Sequence, residues 1–505
     1  MRRNDNIDST IRLYLLSVLT GLFAGFFASS FRWVLQETFF LREYMFRHNT
    51  SIIFHILIIV GMWLVLMAVN WLKNNIKYIG GSGIPQSRAV IFGRIDFRRP
   101  VLQFISKFIG SASTIGIGLS LGREGPSVQI GALGSTIISR VFHSNPTEKR
   151  YLTTAGAGAG LSAAFSAPIA STIFIIEDTL GWVSVKVTLP VLIACIISSY
   201  CAHVMLPSNL YASVVPVAPD VNTFWVVVIL AGLALLATIG GKLFNMLLFG
   251  GQRVYKKLKF PVWIKLLVIV LFTYIVGMFI IDLTAGGEVE LIRQVISDNG
   301  NVWWLFMLVI IKILFTVVSY SAGLCGSLLL PLIVMGGLLG KAYALLLVQF
   351  GFIDPACCGY FTLIGMSVVF ISVVRAPISG LMLILEMTTQ YTVFFPMVLT
   401  GTLTFLFGQY MKIKPVYHKL YNDMFVDEKN FYSKVDFQVN NNSFLINKFV
   451  NELKLPTGCT IINIVRDNKN MPLTDELQIR DIITVKIPTA SYSELFKVFR
   501  TLTNE

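Results

Sequence analysis

Three glycine-rich segments interrupt the apolar runs of this sequence, and their residue types suit the binding of a small anion. They are residues 80–85 (GGSGIP), 122–126 (GREGP) and 323–331 (GLCGSLLLP). Glycine and proline interrupt helices, and the backbone amides freed at a break are tolerated within a membrane only where protein or an aqueous cavity satisfies them. Helix N-termini present such N–H groups with positive dipole character. Broken helices that meet in the middle of a membrane would therefore form a site for a small anion.

The rest of the chain is apolar enough to cross a bilayer many times. Hydrophobic residues make up 55% of its 505 residues and charged residues only 13%, more apolar content than a soluble core of this length can bury. The first apolar run follows a charged leader without a small-residue cleavage site, so we expect a retained helix rather than a signal peptide. Runs of about 20 residues, the length that spans a bilayer, begin near Ile11, Ile52, Val101, Val187, Phe224, Val262, Trp303, Leu328, Phe361 and Val393.

Charge and cysteine usage exclude several classes of function. The net charge is +14, and the Lys and Arg residues cluster between apolar runs, which predicts that these loops are cytoplasmic. No compact basic domain interleaves aromatics with these charges, so we expect no nucleic-acid polymer as a partner. The six cysteines lack metal-ligand spacing, so we expect neither a metal nor disulfides. No nucleophile, base and orienting group recur together, so we expect no enzyme and no cofactor.

A repeat divides the membrane part into two related halves, roughly residues 11–205 and 222–420. Ala167-Pro168-Ile169 and Ala376-Pro377-Ile378 are each followed by a glutamate ten positions after the alanine, at Glu177 and Glu386. Each copy also follows one of the glycine-rich segments that end in proline. Transporters commonly use such a plan, with their site at the interface of the repeats.

The composition changes abruptly after residue 427, and residues 428–505 form a separate soluble domain. We predict a strand over 434–439, an amphipathic helix over 443–453, strands over 460–466 and 482–487 and a helix over 491–502, with a turn between the last two strands. The fold class is therefore an all-α polytopic membrane protein with a small α+β domain at the C-terminal end.

The ordered set of GSGIP, GREGP and a later glycine-rich segment ending in proline, together with the duplicated Ala-Pro segments, resembles the CLC chloride family over about residues 11–420. The resemblance implies a homodimer in which each subunit holds its own anion pathway. It also implies that the pathway is built from tilted, broken helices in two inverted halves.

The resemblance also implies which residues would hold the anion. Ser82 would contribute its hydroxyl and Tyr417 its phenol, neutral donors that can hold chloride yet release it. The backbone N–H groups of Gly125, Leu328 and Leu329 complete the implied set. A helix cap for Ser82 and an interfacial anchor for Tyr417 remain as structural alternatives.

Glu124 resembles the family's external gating glutamate, whose carboxylate occupies an anion position and swings away when it is protonated or displaced. Asp178 stands where the antiporters of the family place an internal proton-transfer glutamate, directly after Glu177. The structural alternatives are an acid that stabilises a helix N-terminus for Glu124, and a solvated helix end for Glu177 and Asp178.

The sequence departs from the family pattern at two places. Asp178 is one methylene shorter than the usual glutamate, and residues 327–331 (SLLLP) lack the aromatic of the usual Gly-x-Phe-x-Pro. Backbone donors do not depend on side-chain identity, so this segment could still bind chloride. Arg123 and Lys312 are further candidates for positive potential along the route, with structural pairing as the alternative for Lys312. Glu386 is predicted to cap or pair structurally.

The tail from Val435 to Ile487 resembles the C-terminal subdomain of potassium-conductance regulators, also called TrkA-C. Such modules dimerise, and some bind cyclic di-AMP or another small effector. If a nucleotide binds, the candidate residues are Ile462, Ile464, Arg466, Asn468 and Pro472, where apolar strand positions adjoin a cation and an amide. Ordinary strand packing and a purely structural dimerisation role are the alternatives.

Together these features predict a chloride/proton antiporter of the cell membrane with its tail in the cytoplasm. A passive chloride channel, a fluoride/proton antiporter and a ligand-sensing membrane anchor without ion flux are the alternatives. Ser82 in an intact GSGIP favours chloride over fluoride.

Overall fold

The structure, a computed structural model, describes residues 2–47, 51–181, 183–206, 214, 216–296, 301–425, 432–441, 443–466, 469–488 and 492–503. Helices make up most of the chain as far as residue 425. They are α1 (Arg2–Arg47), α2 (Ile52–Asn75), α3 (Ile84–Ile91), α4 (Pro100–Gly116), α5 (Glu124–Val141), α6 (Pro146–Phe165), α7 (Pro168–Phe174), α8 (Val185–Met205), α9 (Thr223–Lys257), α10 (Val262–Phe279), α11 (Glu288–Ile296), α12 (Val302–Ser321), α13 (Leu329–Gln349), α14 (Cys358–Val374), α15 (Pro377–Thr388), α16 (Phe394–Tyr410) and α17 (Val416–Asp423).

The helices confirm a multi-pass membrane protein. Among the described residues, nine helices are long and apolar enough to cross a bilayer. Each of the ten predicted apolar runs coincides with a helix, and the one near Val101 forms α4, which is shorter at 17 residues. Many apolar side chains on these helices remain exposed, as expected for surfaces that face lipid.

The two halves are built alike and run in opposite directions where they meet. Glu386, near the end of α15, accepts hydrogen bonds from the amides of Ile169 and Ala170 at the start of α7, at 3.1 and 2.7 Å. In return Glu177, just after α7, accepts hydrogen bonds from the amides of Ile378 and Ser379 at the start of α15, at 3.2 and 2.8 Å. Because each acid at a C-terminal end caps the other helix's N-terminal end, α7 and α15 lie antiparallel, as inverted repeats require. The predicted structural role of Glu386 is confirmed.

Glycines bring two corresponding helix pairs into close contact. A Cβ atom added at Gly131 of α5 would lie 2.0 Å from the carbonyl oxygen of Gly156 on α6. In the second half, a Cβ atom added at Gly365 of α14 would lie 2.3 Å from the carbonyl oxygen of Gly336 on α13. Only glycine permits backbones to approach so closely, and the run of small residues at 156–160 therefore serves helix packing.

The tail forms a four-stranded antiparallel sheet with one helix packed on it. The strands are β1 (Tyr432–Gln438), β2 (Thr460–Arg466), β3 (Lys469–Met471) and β4 (Ile482–Pro488), the helix is α18 (Tyr492–Thr503), and the strand order is β1-β4-β2-β3. An apolar cluster of its own, which includes Phe437, Val485 and Phe499, fills the space between sheet and helix. The predicted boundary at residues 427 and 428 lies outside the described residues.

Two predictions for the tail are wrong. Residues 443–453 form turns and a 3₁₀ turn (Val450–Glu452) instead of an amphipathic helix. Asn447 has a left-handed φ of 58°, and its amide donates to the carbonyl oxygen of Leu477 at 2.8 Å, so the backbone bonds to a distant segment instead of to itself. The predicted turn after β2 contains the short strand β3, which pairs with β2.

Candidate functional site

Backbone hydrogen bonds join the three glycine-rich segments at one place. Gly122 and Ser327 exchange two hydrogen bonds, with N–O distances of 2.7 and 2.9 Å. The amide of Gly81 donates to the carbonyl oxygen of Leu324 at 3.0 Å, and the amide of Gly326 donates to the carbonyl oxygen of Gly81 at 3.2 Å. The helices α3, α5 and α13 begin within these segments, at Ile84, Glu124 and Leu329. Three helix N-termini therefore converge on a common buried region.

Three hydroxyl groups line this region. Ser82 precedes α3, Ser327 precedes α13, and Tyr417 lies in the first turn of α17; all three side chains are buried. The hydroxyl oxygens of Ser82 and Ser327 are 3.4 Å apart, and those of Ser327 and Tyr417 are also 3.4 Å apart. The structure thus brings the two predicted hydroxyl donors to either side of Ser327.

Ser327 is a site residue that the sequence reasoning did not single out. Its hydroxyl oxygen also accepts a hydrogen bond from the amide of Leu329 at 3.4 Å, which places that amide at the same region. A serine in place of the glycine of the family's usual segment was a visible signal. Its position between Ser82 and Tyr417, 245 and 90 positions away along the chain, was not.

The backbone amides implied by the family resemblance lie beside these hydroxyls. Gly125, in the first turn of α5, leaves room for Ser82, because a Cβ atom at Gly125 would be 2.4 Å from the Ser82 hydroxyl oxygen. Leu328 and Leu329 are buried at the start of α13. Amides in the first turn of a helix have no acceptor within that helix, so they are suited to an anion.

Glu124 reaches across to the N-terminus of α13. Its side chain is fully buried, and one carboxylate oxygen, Oε2, accepts a hydrogen bond from the amide of Leu330 at 3.4 Å. The other oxygen, Oε1, is buried without a hydrogen-bond partner among the described residues. Glu124 therefore occupies the end of a helix whose amides would otherwise be open to an anion. Its neighbour Arg123 forms an ion pair with Glu288, with an N–O distance of 2.9 Å.

Asp178 lies in a segment of π-helix, Ile175–Leu180, directly after α7. Insertions of this kind in a helix are frequent at functional sites. Its Oδ2 atom is buried and has no hydrogen-bond partner in the part of the chain that the structure describes. The guanidinium of Arg88, on α3, donates to the backbone oxygen of Asp178 at 3.0 Å. Asp178 thus has an arginine close by and one unused acceptor.

The other predicted charged residues have structural partners. Both carboxylate oxygens of Glu177 accept amide hydrogen bonds at the start of α15, which favours a capping role for this residue over a proton-transfer role. The ammonium group of Lys312 donates to the carbonyl oxygens of Leu283 and Ala285, both at 2.8 Å. Lys312 therefore stabilises the chain reversal after α10, as the structural alternative proposed.

The predicted nucleotide residues of the tail that the structure describes lie in or next to the strands β2 and β3. The Arg466 guanidinium donates two hydrogen bonds to the buried carboxylate of Asp481 in a bidentate ion pair, with both N–O distances at 2.8 Å. Ile464 is buried in the sheet core, Ile462 is partly buried at an irregularity between β2 and β4, and Pro472 is exposed. Asn468 lies outside the described residues.

Comparison with known proteins gives a consistent picture for the membrane part. Residues 61–409 match a family model described as voltage gated chloride channel. The chain is 31% identical to the H(+)/Cl(−) exchange transporter ClcA of Yersinia pseudotuberculosis serotype IB (strain PB1/+), over 80% of this chain and 85% of that relative. It is 29% identical to the protein of that name from Klebsiella pneumoniae (strain 342), over 83% of this chain and 90% of the relative.

Solved structures show the same fold. A slow cyanobacterial Cl−/H+ antiporter superposes with a TM-score of 0.74 at 21% identity, covering 82% of this chain and 98% of that one. A CLC-type fluoride/proton antiporter superposes with a TM-score of 0.64 at 22% identity, covering 81% of this chain and 97% of that one.

Proposed function

This chain belongs to the voltage-gated chloride channel family, and we propose that it exchanges chloride for protons across a membrane. The observation that carries the proposal is the position of Glu124, whose carboxylate lies at the N-terminus of α13 beside three buried hydroxyl groups. The relatives that are named as H(+)/Cl(−) exchange transporters support it, as does the second acid, Asp178, whose Oδ2 atom is buried.

Chloride would bind where the helix ends meet. The hydroxyls of Ser82 and Tyr417 would donate to it, together with the amides at the start of α5 and α13. None of these donors carries a full charge, so the ion would be held without being trapped. The carboxylate of Glu124 would compete with chloride for the α13 amides, because both are anions. Binding of chloride would thus displace the Glu124 carboxylate from these amides. Protonation of the carboxylate would likewise release it from them.

Asp178 would take the proton at the opposite end of the route. No described residue donates a hydrogen bond to its Oδ2 atom, so a proton can be added there without breaking a hydrogen bond that the structure shows. Glu177 is outside this proposed route because its oxygens cap α15.

The test is a transport assay with purified protein in liposomes. With only a chloride gradient imposed, we expect protons to move against their own gradient. Chloride flux without proton movement would instead identify a passive channel. Fluoride flux without chloride flux would identify a fluoride exporter, and no ion flux at all would favour a ligand-sensing anchor.

We further propose that the protein is a homodimer in the cell membrane with residues 428–505 as a cytoplasmic regulatory domain. The resemblance of the tail to TrkA-C modules and the basic loops between apolar runs support this arrangement. A small effector such as cyclic di-AMP would act through the tail. Calorimetry of the full-length protein with cyclic di-AMP should give a binding heat, and no heat at high micromolar effector would count against this ligand.

A further inference from the structure

Phe92 belongs to the membrane part by sequence and to the tail by contact. It is the residue directly after α3, yet its buried ring is part of the apolar cluster of the tail. The ring centre lies 5.2 Å from that of Phe496 on α18. The short helix α3 is therefore anchored at its C-terminal end in the core of the other domain.

Further contacts fix the same end of α3 to the tail. The hydroxyl of Tyr492, on α18, donates to the backbone oxygen of Phe92. Burial raises the pKa of Tyr492 well above its usual value, so the phenol stays protonated and remains a donor. Gly93 has a φ of +69°, and a Cβ atom there would lie 3.1 Å from Val435 of β1. The chain at this junction fits closely against both α18 and the sheet.

The other parts of α3 lie beside the proposed chloride site and the proposed proton acceptor Asp178. Ser82 lies two positions before its first residue, Ile84, and Arg88 in its last turn donates to the backbone oxygen of Asp178. The helix has eight residues and so is only about 12 Å long. A helix this short moves as a rigid body, so a shift at Phe92 is transmitted both to the Ser82 hydroxyl and to the partner of Asp178.

We propose that Phe92 is a positioning residue, through which the tail sets the placement of Ser82 for the anion and of Arg88 beside Asp178. The tail thereby acts on chloride affinity and on proton coupling through one helix. The predicted effect on proton coupling rests on the proposed exchange function. The predicted effect on chloride binding does not require transport.

The test compares four variants of the full-length protein. Phe92→Ala removes the ring from the tail core, Phe92→Leu keeps most of the apolar contact, and Tyr492→Phe removes only the hydroxyl that bonds Phe92. Phe444→Ala is the matched control, because this phenylalanine of the tail is 65% exposed and is not part of the buried cluster. Each variant is checked for folding by size exclusion, and chloride affinity is then measured by calorimetry and the proton-to-chloride ratio in liposomes.

We expect Phe92→Ala to weaken chloride binding about tenfold, since small misplacements of a binding group have large effects. The proton-to-chloride ratio should fall in the same variant. Phe92→Leu should restore both quantities, and Phe444→Ala should leave both unchanged. Should Phe92→Ala fail to fold, Tyr492→Phe decides, and we expect a smaller loss of affinity in the same direction.

Equal chloride affinity and equal ratio in Phe92→Ala, Tyr492→Phe and Phe444→Ala would overturn the proposal. A wild-type protein that binds chloride but moves no protons would contradict the exchange function instead. In that case, weaker chloride binding in Phe92→Ala would still support the positioning role.

Discussion

Two pairs of membrane carboxylic acids differ in how their oxygens are satisfied. In the pair formed by Glu177 and Glu386, both oxygens of each carboxylate accept hydrogen bonds from backbone amides. In the pair formed by Glu124 and Asp178, one carboxylate oxygen of each is buried and accepts no hydrogen bond from any residue that the structure describes. All four acids lie within or beside broken helices, so their location does not distinguish the two pairs. The difference instead bears on whether each carboxylate can take up a proton or move.

A fully capped carboxylate is held in place, because protonation or movement would leave several helix amides without an acceptor. A carboxylate with an unused buried oxygen is costly as a structural element and suited to take up a proton or move. The comparison therefore supports the proposal that Glu177 and Glu386 stabilise the fold, while Glu124 and Asp178 take part in transport. Sequence position alone did not separate them, since Glu177 and Asp178 are adjacent.

Replacing Glu124 tests the transport pair most strongly. Glu124→Gln keeps the shape of the side chain but can neither carry a proton nor compete with chloride as an anion. We expect proton transport to fall at least about a hundredfold, the scale on which a positioned acid acts, while some chloride flux persists. The measurement is proton and chloride flux in liposomes with Glu386→Gln as the control. Unchanged proton transport would remove Glu124 from its role.

Replacing Asp178 tests the second member of this pair. Asp178→Asn should lower proton transport about tenfold or more, because the internal proton acceptor is lost. Chloride affinity measured by calorimetry should stay unchanged, since Asp178 donates nothing to the anion. Asp178→Glu, which restores an acid one methylene longer, should recover proton transport. Full proton coupling in Asp178→Asn would place the internal acceptor elsewhere.

The capping pair should respond as a matched set. Glu177→Gln and Glu386→Gln each replace a charged cap with an amide that has one acceptor oxygen, which we expect to destabilise the protein by about 1–2 kcal/mol. Thermal unfolding in detergent should show similar shifts for both, and the proton-to-chloride ratio should stay at the wild-type value. A changed ratio in Glu177→Gln alone would move Glu177 to the transport pair.

The smallest expected effect is that of replacing Ser327. This replacement tests whether the Ser327 hydroxyl belongs to the proposed anion site. Ser327→Ala removes the hydroxyl between Ser82 and Tyr417, so the two donors lose a shared neighbour. We expect chloride affinity to fall about two- to fivefold, the effect of one neutral hydrogen bond. Ser321→Ala is the control, because that hydroxyl bonds the carbonyl oxygen of Val317 within its own helix. Equal affinities in the two variants would exclude Ser327 from the site.

Much of the membrane fold could be predicted because its signals are local. Apolar length gave the helices, and the glycine and proline residues gave their breaks at Gly83, Arg123 and Leu328, which precede α3, α5 and α13. The repeat of the Ala-Pro segment gave the relation between the halves. The family resemblance implied that the halves are inverted, but the repeat pattern itself left this open, because it depends on contacts between residues more than 200 positions apart, such as Glu177 with Ser379.

The features that escaped prediction depend on partners distant in the sequence. The apolar spacing at 443–453 suits a helix, but the backbone of Asn447 pairs with Leu477 instead. The π-helix that carries Asp178 and the placement of Phe92 in the tail core likewise depend on tertiary packing. The hydrophobic periodicity of a segment does not reveal that distant residues compete for its backbone or side chains, because it reflects only the preferences of neighbouring residues.

The mutual capping of α7 and α15 has a consequence for how the chain is made. When α7 leaves the ribosome, Glu386 has not yet been synthesised. Its carboxylate, which accepts the hydrogen bond from the amide of Ala170, belongs to a residue 216 positions later in the chain. Until then the first half is an unfinished unit, with bare amides that only water or a folding factor could satisfy. Neither half should therefore assemble stably when produced alone, whereas two separately produced halves should be able to complement each other.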